Sequence, residues 1–257
     1  MFYKVLSFKR VASAVIIIFL FAMSAGFAAR MLTAAVNGTI RLLPIYCVKT
    51  DKKKVAITFD AAWENTDTKE LIEILDRYGA RATFFIVGDW AKKYPDDVKA
   101  LFNAGHQIAN HSNTHAAFSS LSSDEVESEI TLCNEKLAAI TGLTPKYVRF
   151  PSGDYDNESI RAAEEMGLYV IQWSVDSLDY KGLTPERIKQ RVLKSTKEGS
   201  IILFHTGVAN TPAALETILS NLKGQGFSFV CVEELIYKNN YKIDHTGQQI
   251  QTSIDDN

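Results

Sequence analysis

Residues 54–87 read KVAITFDAAWENTDTKELIEILDRYGARATFFIV. Two short apolar runs, near 54–59 and 82–87, flank a segment from Thr68 to Tyr78 with apolar positions at helical spacing. Gly79 stops that segment, because glycine just past a helix accepts left-handed backbone at little cost. Continuous apolar runs suit strands buried on both faces, so the stretch reads as strand, crossover helix and parallel strand.

The same rhythm continues to Tyr237. Further strands are expected near 106–110, 147–150, 168–175, 200–205 and 227–232, each rich in Val, Ile, Phe or Ala. Helical patterns lie between them: Pro95 to Ala104, Ser122 to Ile140, Glu158 to Met166, Pro185 to Lys197 and Pro212 to Lys223. Each ends at or near a glycine: Gly105, Gly142, Gly167, Gly199 and Gly224. Strand and helix in alternation define an α/β chain, and we expect a parallel β/α barrel, seven-stranded and distorted.

Such a barrel gathers chemistry where its strands end, because the βα loops converge on that face. Five strand ends carry a suitable residue: Asp60 after VAITF, His111 after QIAN, Arg149 in KYVRFP, Asp176 after IQWSV and His205 after SIILF. His111 and His115 are four apart, so a helical turn would project both from one face toward a single metal ion. His106 lies early in its strand and reads as structural.

Of the 257 residues, 46% are hydrophobic and 23% charged, enough for one sizeable core. A formal net charge of −2 lacks the basic footprint of a nucleic-acid binder, and nucleic acid is not expected as a partner. Cys47, Cys133 and Cys231 make no CxxC spacing and cannot all pair, so no disulfide framework or thiolate metal site is indicated. Cys133 and Cys231 sit inside apolar patterns and read as buried small hydrophobes.

The domain plan has four parts. Residues 1–30 hold Lys4, Lys9 and Arg10 ahead of an uncharged run from Val11 to Ala29, read as a transmembrane anchor with the remainder outside the cytoplasm. Gly26-Phe27-Ala28 offers a cleavage pattern, so a cleaved, secreted form is the alternative. Residues 31–51 are read as a stalk, 52–237 as the folded domain and 238–257 as a polar tail. A monomer is expected.

The strings TFDAAW at 58–63, HSNTH at 111–115, RFPSGDY at 149–155, WSVDSLDY at 173–180 and LFH at 203–205 resemble, in order, the five motifs of the polysaccharide deacetylases. This is the NodB-homology group, carbohydrate esterase family four. The membrane segment, single domain and Asp-Ala-Ala-Trp motif look most like the subgroup associated with spore formation. The resemblance implies a hydrolase removing N-acetyl groups from amino sugars of a cell-wall glycan, most plausibly peptidoglycan. It makes Asp60 the general base, Arg149 the residue that holds it, His205 the general acid, and His111 and His115 ligands of zinc or cobalt. An acidic partner would keep His205 charged, with Asp176 the first choice and Asp179 the alternative. Tyr155, Trp173, Phe150 and Leu203 are expected to shape an apolar groove for the sugar and its acetyl methyl.

One departure bears on activity. The family motif has two adjacent aspartates, base then metal ligand, and here Asp60 is followed by Ala61. The ligand set falls to two histidines, one short of the three usual at a catalytic zinc. Asp60 moves into the coordination sphere, Glu64 or Asp67 reaches in, or metal binding is weak or absent. A degenerate member that binds glycan or a wall-assembly partner without turnover, and a small-molecule amide or ester hydrolase, stand as alternatives.

Overall fold

The computed structural model describes residues 41–252. Its strands are β1 (Cys47–Val48), β2 (Lys54–Ala61), β3 (Ala82–Ile86), β4 (Gln107–Asn110), β5 (Tyr147–Val148), β6 (Tyr169–Val170), β7 (Val175–Asp176), β8 (Ile201–His205), β9 (Ser228–Phe229), β10 (Tyr241–Ile243) and β11 (Gln248–Gln251). The helices are α1 (Thr68–Arg77), α2 (Gly88–Lys93), α3 (Pro95–Asn103), α4 (Ser123–Thr141), α5 (Asn157–Glu165), α6 (Pro185–Ser195), α7 (Thr211–Gly224) and α8 (Val232–Leu235).

The main sheet runs in the order β6-β5-β4-β3-β2-β8-β7, with β9 also paired to β2. Its pairings are all parallel. β6 and β7 stand at opposite ends of that order, so the seven-stranded, distorted barrel expected takes the form of an open half-barrel. The single strand expected over 168–175 is two short strands, interrupted between Ile171 and Ser174. The residues read as stalk help cover the opening. Ile45 bridges Ile171, and its N–H donates to the Val170 carbonyl at 2.9 Å. Residues read as tail are ordered as well: β10 and β11 form, with β1, a separate three-stranded sheet. The ladder that joins them includes Lys49 N–H to the Gln249 carbonyl at 2.8 Å, and Val48 and Ile243 pack into the interior cluster.

The expected transmembrane helix is corrected. Among the described residues no helix is long and apolar enough to cross a membrane. The longest, α4, carries Asp124, Glu125, Glu127, Glu129, Glu135 and Lys136. The run from Val11 to Ala29 lies outside the described residues.

Alternation along the strands separates two layers. Val55, Ile57 and Phe59 of β2 face the helices and pack with Phe84 and Phe204; the Phe59 and Phe84 rings stack with centroids 4.7 Å apart. Ala56, Phe85, Ala109 and Ile201 belong to a second, interior cluster. Burial on both faces is why these strands are continuous apolar runs. Helix ends follow the local chemistry too: Ser122 and Glu125 form a reciprocal capping box at the start of α4, and Gly142 ends it at φ 76°. Cys133 and Cys231 are buried free thiols, and burial pushes their pKa values up to about 12 and about 11.

Candidate active site

Register sets the centre of the site. β2 and β8 pair Ala56 with Ile201, Thr58 with Leu203 and Asp60 with His205, so two chemically able side chains end adjacent strands side by side. Beneath them lies Arg149, fully buried, one residue past β5. Its Nη1 donates to Asp60 Oδ1 at 2.8 Å and its Nη2 to Thr58 Oγ1 at 2.9 Å and the Gln172 carbonyl at 3.2 Å. The guanidinium also lies over the Phe85 ring, 4.0 Å from its centroid. Burial alone would raise the Asp60 pKa; the charges of His111, Arg149 and His205 and the Arg149 hydrogen bond together reverse it and hold the carboxyl below the usual range.

His111 and His115 reach the site from a loop after β4, not from the helical turn that their spacing suggested. Ser112 and His115 sit at φ 65° and 66°, left-handed backbone no helix would contain. The loop is held locally: the His115 N–H donates to Ser112 Oγ at 2.9 Å, and the Ser112 N–H to Asn110 Oδ1 at 2.8 Å. His111 Nδ1 lies 2.8 Å from the Arg149 carbonyl, an acceptor only, so Nδ1 carries the proton. That leaves the Nε2 lone pair facing the cleft, 3.4 Å from Asp60 Oδ2. Burial pulls the His111 pKa down to about 4, so the ring is neutral near pH 7. The His115 ring meets His111 edge-on, with centroids 5.1 Å apart.

His205 has Asp179 as its partner, not Asp176. Its Nδ1 donates to Asp179 Oδ1 at 2.7 Å and its backbone N–H to Oδ2 at 2.8 Å; Thr211 Oγ1 donates to the same Oδ2 at 2.7 Å. Asp176 instead accepts from the Leu178 N–H at 2.8 Å. A 3₁₀ turn at Asp179–Lys181, entered through left-handed Leu178, carries Asp179 back under the ring. Burial would lower the His205 pKa, but the Asp179 hydrogen bond and the charges of Asp60, Asp179 and Asp176 outweigh it and leave the pKa raised.

A cleft of about 210 Å³ brings together Asp60, His111, His115, Trp173, Asp176, Leu203 and His205. Two of the groove residues expected from sequence lie elsewhere. Tyr155 is bonded through its hydroxyl to Tyr46, 2.9 Å, and Phe150 is fully buried against Phe118. Trp63, Tyr180, Ala62 and Ser152 line the cleft instead. Trp63 and Tyr180 were visible inside the quoted motifs, but nothing in the sequence shows that loops turn them onto His205.

The metal expectation meets a poor fit. Among the described residues no group of three or more His, Cys, Asp or Glu side chains is arranged to hold an ion. Ala61 is fully buried in the helix-side cluster, Glu64 accepts from the Tyr94 hydroxyl at 3.2 Å, and Asp67 accepts from the Gly207 N–H at 2.8 Å. Among the described residues Asp60 is the carboxylate that meets His111, its Oδ2 3.4 Å from Nε2, and Arg149 already holds its other oxygen. The set remains one ligand short.

What remains is a carboxylate held below its usual pKa and an imidazole held above its own, on adjacent strand ends, facing one cleft. That pair can take a proton from water on one side and give one to a leaving group on the other.

Known proteins resemble this chain in sequence and fold. The profile of the polysaccharide deacetylase family matches residues 48–171. A peptidoglycan-N-acetylglucosamine deacetylase of Bacillus cereus is 33% identical over 189 residues, 72% of this chain and 69% of that protein. The peptidoglycan-N-acetylmuramic acid deacetylase PdaA of Bacillus subtilis is 28% identical over 203 residues, 77% of each. Among solved structures, a CE4 family pseudoenzyme from Bacillus anthracis superposes with a TM-score of 0.72 at 33% identity, covering 75% of this chain and 68% of that one. Resemblance in five short motifs is thereby extended to most of the chain, which belongs to the polysaccharide deacetylase family.

Proposed function

We propose that the chain hydrolyses the N-acetyl group of an amino sugar in peptidoglycan, releasing acetate and leaving a free amine. The observation that carries this is the Asp60–His205 register pair, whose members are pushed to opposite charges by Arg149 and Asp179. Asp60 takes a proton from water as the oxygen attacks the acetyl carbonyl. His205 Nε2–H then protonates the departing nitrogen as the carbon–nitrogen bond breaks. Trp173 and Leu203 wall the cleft with apolar surface suited to the acetyl methyl and the sugar face. Peptidoglycan as substrate is supported by the deacetylases it resembles, and the polymer would be met outside the cytoplasm. The Asp-Ala-Ala-Trp motif supports a role in spore formation.

A second reading is favoured by one observation. Ala61 stands where the family motif has its second aspartate, and a relative of similar identity is a pseudoenzyme. In that reading the same cleft binds glycan without turnover. Acetate release from peptidoglycan fragments and N-acetylglucosamine oligomers separates the two, measured with zinc or cobalt supplied and omitted. Catalysis predicts release that Asp60→Asn and His205→Ala each reduce by about 10²–10⁴-fold. No release from any glycan, with binding retained and lost on mutating the cleft, replaces the hydrolase by the binder.

A further inference from the structure

The loop that carries His111 and His115 is held from outside by Glu129 of α4, a residue that lies in none of the five motif strings. Two successive backbone N–H groups, those of Asn113 and Thr114, donate to Glu129 Oε2 at 2.8 and 2.9 Å. The Thr114 hydroxyl donates to Oε1 at 3.0 Å. Adjacent N–H groups turned to one point form a concavity that suits an anion, and here the anion is the protein's own carboxylate. Hydrogen bonds to a charged acceptor are stronger than neutral ones, so three on one side chain make a firm tether.

The tether acts on backbone that needs one. Ser112 and His115 hold left-handed conformations, at φ 65° and 66°, which are unfavourable for any residue with a Cβ. The turn's carbonyls are met by α2: the Gly88 N–H donates to the Ser112 oxygen at 3.0 Å and the Asp89 N–H to the Asn113 oxygen at 2.9 Å. A Cβ at Gly88 would lie 2.6 Å from Asn113 Oδ1 and 3.2 Å from the Cα of Cys133, so the loop is pressed between α2 and α4. Its N–H groups are left to Glu129.

Glu129 has no comparable part in the core. The buried face of α4 is Val126, Ile130, Cys133 and Leu137, whereas Glu129 is half-buried and, among the described residues, its hydrogen bonds all go to Asn113 and Thr114. The strand end before the loop is anchored separately, through Asn110 Nδ2 to the Ile130 carbonyl at 2.9 Å and to Asn134 Oδ1 at 2.8 Å. Loss of the carboxylate would therefore release the turn and leave helix and strand in place.

We propose that Glu129 is a positioning residue for the two imidazoles: it fixes the 111–115 turn and, through it, how His111 meets Asp60 and how both rings face the cleft. Its effect on turnover rests on the proposed hydrolysis; its hold on the rings does not.

Nitrogen NMR of the histidine rings, recorded on the full chain at neutral pH, tests it together with rates of acetate release. Glu129→Ala should shift the ring signals of His111 and His115, while that of His106, at the opposite end of β4, stays in place and reports an intact fold. Glu129→Gln should restore both, because the amide oxygen can accept the two N–H groups and its NH₂ can donate to the Thr114 hydroxyl. Glu135→Ala removes the same charge from an exposed position of α4 and should move neither ring. On glycan, Glu129→Ala should lower kcat by about 10–10²-fold with KM little changed, the size of effect that follows misplacement by about 1 Å, and Glu129→Gln should recover it. In the wild-type chain the Asn113 and Thr114 amides should exchange slowly with solvent although Thr114 is exposed. Fast exchange of both, ring signals unmoved by Glu129→Ala, or equal displacement by Glu129→Gln or Glu135→Ala overturns the assignment. Shifted rings in a chain whose wild type releases no acetate leave the positioning in force and remove the hydrolase.

Discussion

His205 and Asp179 are joined twice, through the ring Nδ1 at 2.7 Å and through the backbone N–H at 2.8 Å, one carboxylate oxygen to each. The aspartate therefore fixes both where the ring points and which nitrogen faces the cleft. Nδ1–H is committed to Asp179, so only Nε2 is left to exchange a proton with substrate. A hydrogen bond to the charged form of an imidazole raises its pKa, and this one, together with the charges of Asp60, Asp179 and Asp176, outweighs the opposing effect of burial.

Asp179→Asn should therefore move the alkaline limb of the pH–rate profile to lower pH, because the acid form of His205 would be lost earlier as pH rises. Asp176→Asn should move it little, since Asp176 contributes only charge at a distance and its Oδ1 is engaged by Leu178. The acid limb, set by Asp60 below the usual carboxylate range, should stay in place in both variants. Equal displacement by the two substitutions would deny Asp179 its special part. Initial rates of acetate release across pH supply the measurement.

Arg149→Met should destabilise the fold as well as the chemistry. Both side chains of the Arg149–Asp60 pair are out of solvent, with 0% and 6% exposure, so deleting the cation strands a buried carboxylate. Breaking a buried pair from one side costs about 3–5 kcal/mol, whereas a surface pair costs under about 1 kcal/mol. Asp60→Asn with Arg149→Met should recover part of the loss by removing the stranded charge. Denaturant unfolding of the three variants reads this, and additive losses would contradict it.

The strand ends were legible because a strand buried on both faces is a continuous apolar run, and the polar residue that follows it marks where the run stops. Asp60, His111, Arg149 and His205 each follow an apolar run, and the structure does place them around one cleft or directly beneath it. Asp179 was harder to choose over Asp176, because the decision depends on a left-handed Leu178 and a 3₁₀ turn that no periodicity announces. His111 and His115 show the opposite hazard: their spacing fits a helix, yet Ser112 and His115 adopt backbone that a helix forbids. The open edge of the sheet was illegible for a further reason. Closure depends on whether β6 and β7 pair, a relation between distant segments, and the segment at Ile45 that covers the gap has little pattern of its own.

His106 makes a separate prediction about acid stability. It is 3% exposed, with Nδ1 accepting from the Ala82 N–H at 3.4 Å, and burial lowers its pKa from 6.5 to about 4. Between those values the unfolded chain binds a proton that the folded chain refuses. Stability contributed by the neutral ring is present above pH 6.5 and is lost as pH falls toward 4, up to about 3 kcal/mol in all. His111, also lowered to about 4, adds to the same slope. His106→Gln should flatten part of it, so the difference in unfolding free energy between variant and wild type should shrink as pH drops from 7 to 4. A constant difference across that range would mean that the ring acts through packing alone.

Ala61→Asp tests the missing ligand without relying on turnover. Ala61 is fully buried among helix-side apolar residues, so the new carboxylate should lower the melting temperature of the metal-free chain. A 1 kcal/mol loss corresponds to about 2–4 °C at this size, so even a modest penalty is readable. Zinc should then stabilise the variant more than the wild type, because a third ligand adds a bond and a compensating negative charge, and an ion that binds only the folded state stabilises it by mass action. Calorimetric titration of both chains with zinc should show tighter binding by Ala61→Asp. Equal affinity would mean that another side chain already completes the set, with Asp60 the one placed to do so, its Oδ2 being 3.4 Å from His111 Nε2. Asp60→Asn in the wild-type background would then abolish zinc binding, whereas under the two-histidine reading it leaves the weak affinity of His111 and His115 largely intact.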